Sequence, residues 1–131
     1  MVTFVWNKED VIDVYASQFE PGETYPLMDT PNHHPAMGGP VMFADQVLSK
    51  DGTLIGISSG RAYSQYYREM ISLCSIDVEH GAINNEVIVL WGDPGTHQKK
   101  IHAKVSRFPY LNEDRNESVD VSKIPCITAR K

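Results

Sequence analysis

Val2, Phe4 and Trp6 alternate with Thr3 and Val5 at the head of the chain, and this period of two predicts a short strand over residues 2–6. The spacing then lengthens. Val11, Tyr15 and Phe19 recur at helical intervals with Ile12 and Val14 beside them, so a helix should follow. Asn7 is placed to cap it by accepting from the first turn, Glu9 and Asp10 suit the positive end of its dipole, and Pro21-Gly22 stops it. Between residues 21 and 40 the periodicity disappears. Five of the eight prolines and three of the nine glycines fall there, which excludes regular helix and central strand. Tyr25, Leu27, Met28, Met37 and Met42 make this long Pro-rich loop apolar enough to pack against something.

Beyond the loop the pattern is that of strands. Residues 41–49 and 53–59 flank Lys50-Asp51-Gly52, where Asp-Gly supplies the positive φ that a tight hairpin needs. Residues 60–69 are polar and rich in tyrosine, and read as a connection or a short helix. A mostly apolar strand covers 70–78, with Ile71, Leu73, Ser75 and Asp77 alternating against Met70, Ser72, Cys74, Ile76 and Val78. Residues 81–85 turn the chain, 86–91 form the next strand, and Gly92-Asp93-Pro94-Gly95 turns it again. In the last strand, 100–108, Ile101, Ala103 and Val105 face one way, Lys100, His102 and Lys104 the other, and Pro109 ends it. One helix followed by four or five antiparallel strands makes a mainly β fold, a small barrel or a sandwich. Without βαβ alternation no parallel nucleotide-binding sheet is expected. The domain is expected over residues 1–111, and 112–131, poor in large apolar groups, as an extended or partly disordered C-terminal arm.

Composition narrows the function classes. At 131 residues, with 41% hydrophobic and 22% charged side chains, the chain has the size and make-up of one globular domain. Its net charge is −5, from two basic and eight acidic groups in residues 1–60 and ten basic and nine acidic in 61–131. That balance argues against nucleic acid as a partner. No apolar run approaches the roughly 18 residues that cross a membrane, and the first residues lack a secretory signal. Cys74 and Cys126 are too few for a disulfide framework and read as reduced thiols, so a cytoplasmic location is expected.

No catalytic set emerges. His33, His34, His80, His97 and His102 show no metal-ligand spacing, and no metal site is expected. A G-x-S-x-G elbow, a GxGxxG loop and a P-loop are all lacking, and Cys74 reads as a small core residue. Asp77 and Glu79 fall on one strand face, where they read as a solvated strand end. The least ordinary segment runs from Gly60 to Met70: Arg61, Tyr63, Tyr66, Tyr67 and Arg68 combine stacking faces with bidentate donors. Such groups suit a planar aromatic ligand bearing carboxylates, or an interface; alternatively Tyr63 and Tyr67 merely close one end of a barrel.

The order "DGTLIGISSGRAYSQYYREMISLCSID", then "EVIVLWGDPGTHQKKIHAKVSRFPYL", resembles the C-terminal barrel domain of the aminomethyltransferase family, typified by the glycine-cleavage T protein. The shared features are a glycine-containing hairpin ending in S-G, a polar Y-S stretch, an apolar strand, and a "K-x-I-x-A-x-V" strand after a short turn. The opening "VTFVWNKEDVIDVYAS" and closing "NEDRNESVDVSKIP" look like the bacterial branch that removes O-methyl groups from vanillate and syringate with tetrahydrofolate as acceptor. The resemblance implies a small antiparallel β-barrel. It also implies a larger N-terminal folate-binding domain, or separate subunit, that supplies the catalytic groups, so the chain is expected to be a module inactive alone. Arg61, Tyr63 and Tyr66 would stand at the inner rim facing tetrahydrofolate, and no catalytic residue transfers to this chain. The alternative is a freestanding, non-catalytic interaction module that forms a homo-oligomer through the uncovered barrel surface. A small flavin-binding barrel has only fold analogy behind it.

Overall fold

Six antiparallel strands close on themselves in the computed structural model, which describes residues 1–28, 44–111 and Ser122. The strands are β1 (Val2–Trp6), β2 (Ala44–Leu48), β3 (Leu54–Ser64), β4 (Glu69–Ile76), β5 (Glu86–Trp91) and β6 (Lys99–Ser106), with the helix α1 (Lys8–Ser17) between the first two. Around the barrel the order is β1-β4-β3-β2-β5-β6, and β6 returns to pair with β1. Every strand therefore has two partners and no edge is left open, which separates a barrel from a sandwich.

The interior is built by alternation. Phe4 and Trp6 enter from β1, Met70 and Cys74 from β4, Val87, Val89 and Trp91 from β5, and Ile101, Ala103 and Val105 from β6, all buried. Lys100, His102 and Lys104 point out, as the pattern required. Two serines are buried with them. The Trp6 indole N–H donates to Ser72 Oγ at 2.9 Å, and Ser58 Oγ donates to the same oxygen at 2.8 Å. Cys74 lies 3.4 Å from Ser72 Oγ, and burial pushes its thiol pKa up, in keeping with a core role.

Asn7 caps α1, its side chain accepting from the Asp10 N–H at 3.1 Å. The Asp10 carboxylate in turn accepts from the His102 N–H at 2.8 Å and so lays the helix over β6. Val11 and Val14 are buried, whereas Ile12 is exposed and Phe19 lies beyond the helix, 90% exposed. The expected stripe stops short because Ser17 and Gln18 fold the chain back: Gln18 Nε2 donates to the Tyr25 carbonyl at 2.7 Å, and Ser17 Oγ accepts from the Tyr25 N–H at 3.4 Å.

The largest departure is at residues 60–69, expected to be a connection or short helix. Gly60 to Ser64 continue β3, and Glu69 already pairs with Ser64, leaving residues 65–68 as the hairpin turn. The reason is a bulge. Gly60 adopts φ +56°, and Gly60 and Arg61 together face Ser72, between the pairs Ser59–Leu73 and Ala62–Ile71. One extra residue resets the alternation and so hides the strand from a period-two reading. A few residues earlier β3 comes so near β4 that a Cβ on Gly56 would lie 2.3 Å from the Ser75 carbonyl oxygen. β4 ends at Ile76, so Asp77 and Glu79 do not share a strand face; both are exposed around a 3-10 turn, Val78–His80.

After β6 the chain passes back over β1 to β4. The Tyr110 hydroxyl donates to the Glu69 carboxylate, and its ring meets Tyr67 edge-on at 4.9 Å. Burial and that carboxylate push the Tyr110 phenol up to about 12. Apart from Ser122, the C-terminal arm at 112–131 lies outside the described residues, as do residues 29–43 of the Pro-rich loop with His33, His34, Met37 and Met42. Among the described residues no helix is long and apolar enough to cross a membrane, and no cluster of His, Cys, Asp and Glu could hold a metal ion.

Candidate functional site

One end of the barrel, where β1, β3 and β5 finish and β2 and β6 begin, gathers polar groups among aromatic ones. The Gly60 bulge aims Arg61 there: opposite the buried Ser72, it takes an inward position that a regular β3 would have given to Gly60. Its guanidinium carbon stands 5.9 Å from the centre of the Trp6 ring, a cation–π distance. Asp45 comes from β2, in register with the buried Ser58 and two residues before the fully buried Val47. Trp91 closes β5, and Gly92, at φ +107°, turns the chain beside it.

These groups line a pocket of about 100 Å³, with Asp45, Arg61, Trp91, Gly92 and Asp93 on the barrel side and Pro26 and Leu27 opposite. Removal from water raises the Asp45 carboxyl most, against the lowering pull of Arg61 and of the Gly92 N–H; Asp93 adds to the rise, and the result is about 6. The Pro26–Leu27 wall is held by its own contacts. Tyr25 stacks on His97 at 4.4 Å, the Lys99 ammonium lies 5.0 Å above the Tyr25 ring, and Lys99 pairs with Asp13 of α1. Met28 is 2% exposed. The described part of the Pro-rich loop thus packs against the barrel, as its apolar content predicted.

Of the three residues expected at the rim, Arg61 lines the pocket. Tyr63 pairs with the buried Met70 farther along β3 and is half-exposed; Tyr66 sits in the hairpin turn, packed edge-on against Tyr67 at 4.9 Å. Neither lines this pocket. Tyr67 belongs to the clasp with Tyr110. Sequence reasoning missed Asp45, although a signal was there: it is an acidic residue two positions from Val47 in an alternating run, hence on the inward side. Trp91 and Pro26 carried no such mark, because only folding brings residues so distant in the chain together.

Chemically the mouth offers a planar guanidinium for a carboxylate, a carboxylate for N–H donors, and the indole of Trp91. Its volume is well below the roughly 300–1,000 Å³ of a complete small-molecule site. It can take one end of a larger molecule, and no more.

No protein-family model matches the chain. Curated proteins do match it, among them a methylene transferase and an O-demethylase. It is 45% identical to the sesamin methylene transferase of Sinomonas sp. (strain No.22), over 95% of this chain and 28% of that protein. It is 30% identical to the syringate O-demethylase of Sphingobium sp. (strain NBRC 103272 / SYK-6), over 83% of this chain and 25% of that protein. A closed barrel with this likeness is a homologue of one segment of larger group-transferring enzymes. Within that class the chain belongs to the aminomethyltransferase family, beside its O-demethylase branch. It spans about a quarter of the length of the curated relatives it matches.

Proposed function

We propose that this chain is the barrel module of a tetrahydrofolate-dependent transferase that takes a methyl or methylene group from an aromatic ether. In this role it closes over a folate site carried mainly by other polypeptide, and it is inactive alone. The observation that carries the reading is the barrel mouth: Arg61, Asp45 and Trp91 line one pocket that holds only part of a ligand, with the Arg61 guanidinium near the Trp6 ring. The names of the two relatives support the reaction class.

Tetrahydrofolate, when bound, supplies the nitrogen that accepts the one-carbon unit. This chain's own groups bind and shield. Arg61 faces a carboxylate of the cofactor, held over Trp6 and near Asp45, which limits the freedom it loses on binding. In this reading Tyr63 and Tyr66, from the β3–β4 hairpin and outside the pocket lining, stack on an aromatic portion of the cofactor. Trp91, Pro26 and Leu27 keep water from the mouth, which strengthens every polar contact within it.

Calorimetry tests this in two settings. The isolated chain should bind tetrahydrofolate weakly or not at all, while the larger protein containing it should bind, with Arg61→Ala weakening affinity by about tenfold, the loss of one charge-assisted contact. Tight binding by the isolated chain, or its demethylation of vanillate unaided, sinks the incomplete-module reading. Unchanged affinity for Arg61→Ala in the larger protein removes the rim role.

A further inference from the structure

The outer faces of the barrel differ. Around β6 the outward positions are Lys100, His102 and Lys104. On the other side they are Ile57, Ser59 and Ala62 of β3 with Ile71, Leu73 and Ser75 of β4, cross-paired Ile57–Ser75, Ser59–Leu73 and Ala62–Ile71. None of these six is charged. Ile57 is 53% exposed and Leu73 41%. A solvated antiparallel face ordinarily alternates polar side chains outward. The neighbouring strand shows what a covered outer face looks like here. Thr3, cross-strand from Leu73, also points outward yet is only 1% exposed.

We infer that this strip is the docking face for the polypeptide that makes up the other three-quarters, or about that, of the curated relatives. The inference rests on the module reading above. Its occupant is an uncharged, largely apolar surface, because the strip offers aliphatic groups and a few hydroxyls but no charge to meet a partner's charge. A closed barrel has no free strand edge, so the partner is held by side-chain packing centred on Ile57 and Leu73 rather than by strand addition.

Cysteine labelling tests it. In a Cys126→Ser background, Ile57→Cys and Ser75→Cys report on the strip and Lys104→Cys on the charged face, while Cys74 is buried. Maleimide rates are compared in the isolated chain and in a chimera where this chain replaces its 45%-identical counterpart in the sesamin methylene transferase. Both strip reporters should label freely in the isolated chain and at least about tenfold more slowly in the chimera, with Lys104→Cys fast in both, because a packed interface must open before reagent enters. Equal labelling in both settings overturns the inference. So does shielding in the isolated chain: independent of concentration it assigns the strip to the chain's own residues, and rising with concentration it assigns it to a second copy, as a freestanding homo-oligomer would require.

A second measurement needs no chimera. Leu73→Lys in the isolated chain should melt within about 2 °C of the parent, since surface substitutions away from internal contacts change stability little. A fall of more than about 5 °C would make Leu73 part of the chain's own core and overturn the inference. The two readings separate cleanly. A chimera with shielded reporters that fails to bind tetrahydrofolate keeps the docking face and refutes the folate cap; one that binds with its reporters fully labelled does the reverse.

Discussion

Replacing Asp45 with Asn should stabilise the barrel in neutral and alkaline solution, and the gain should fade in acid. Burial raises the Asp45 carboxyl from 3.8 to about 6 even though Arg61 pulls it down, so the ionised form is held in the folded protein at a net cost. The shift of roughly two units corresponds to about 3 kcal/mol as an upper bound. Asp45 is only half-buried, and solvent screening brings the expected gain to roughly 1–2 kcal/mol, or a rise in melting temperature of roughly 3–8 °C for a chain of this length. The attraction of Arg61 is already contained in the net shift, so its loss needs no further subtraction.

The sign follows from proton uptake. Above about pH 6 both folded and unfolded states carry the carboxylate, and the full cost is present. Between about 6 and 3.8 the folded state binds the proton first, so the native protein gains stability relative to the variant as pH falls. Thermal melts followed by circular dichroism at about pH 8 and about pH 4.5 should therefore show a gap between variant and parent that shrinks by more than half in acid. Comparing the two proteins at each pH cancels the other carboxylates. A gap that does not change with pH, or a variant less stable at about pH 8, would show that Arg61 and the Gly92 N–H outweigh burial, and the account of the mouth would be wrong.

Three further perturbations address the frame that holds this mouth. Gly56→Ala should cost about 2 kcal/mol or more in a denaturant titration, because the new methyl would sit 2.3 Å from the Ser75 carbonyl oxygen and force β3 and β4 apart; a near-neutral result would mean that the strands yield easily. Ser72→Ala removes the shared partner of Trp6 Nε1 and Ser58 Oγ and should cost roughly 1–3 kcal/mol by the same assay, with a change in tryptophan fluorescence. Asn7→Ala should lose roughly 0.5–2 kcal/mol, and Asn7→Asp far less, since either Asn or Asp can accept from the Asp10 N–H.

Much of the fold was legible in the chain itself. The strands at 2–6 and 86–91, the capped helix after Asn7 and the Gly52 hairpin follow from short-range chemistry: period-two alternation, a side-chain oxygen in reach of a free N–H, a residue that tolerates positive φ. The inward set of β6 and the core place of Cys74 follow in the same way. The family could be read there too, because the order and spacing of such elements persist in its relatives. The bulge at Gly60 could not be read, since an inserted residue matters only against the strand opposite, and alternation in one strand does not reveal its partner. Nor could the mouth. Asp45, Arg61 and Trp91 sit on three strands far apart in the chain, and their charge, stacking and desolvation exist only once closure sets β2 between β3 and β5. Local sequence determined which segments became strand or helix and which side faced inward. Tertiary structure alone decided which inward residues met, because contacts across a barrel depend on register and closure.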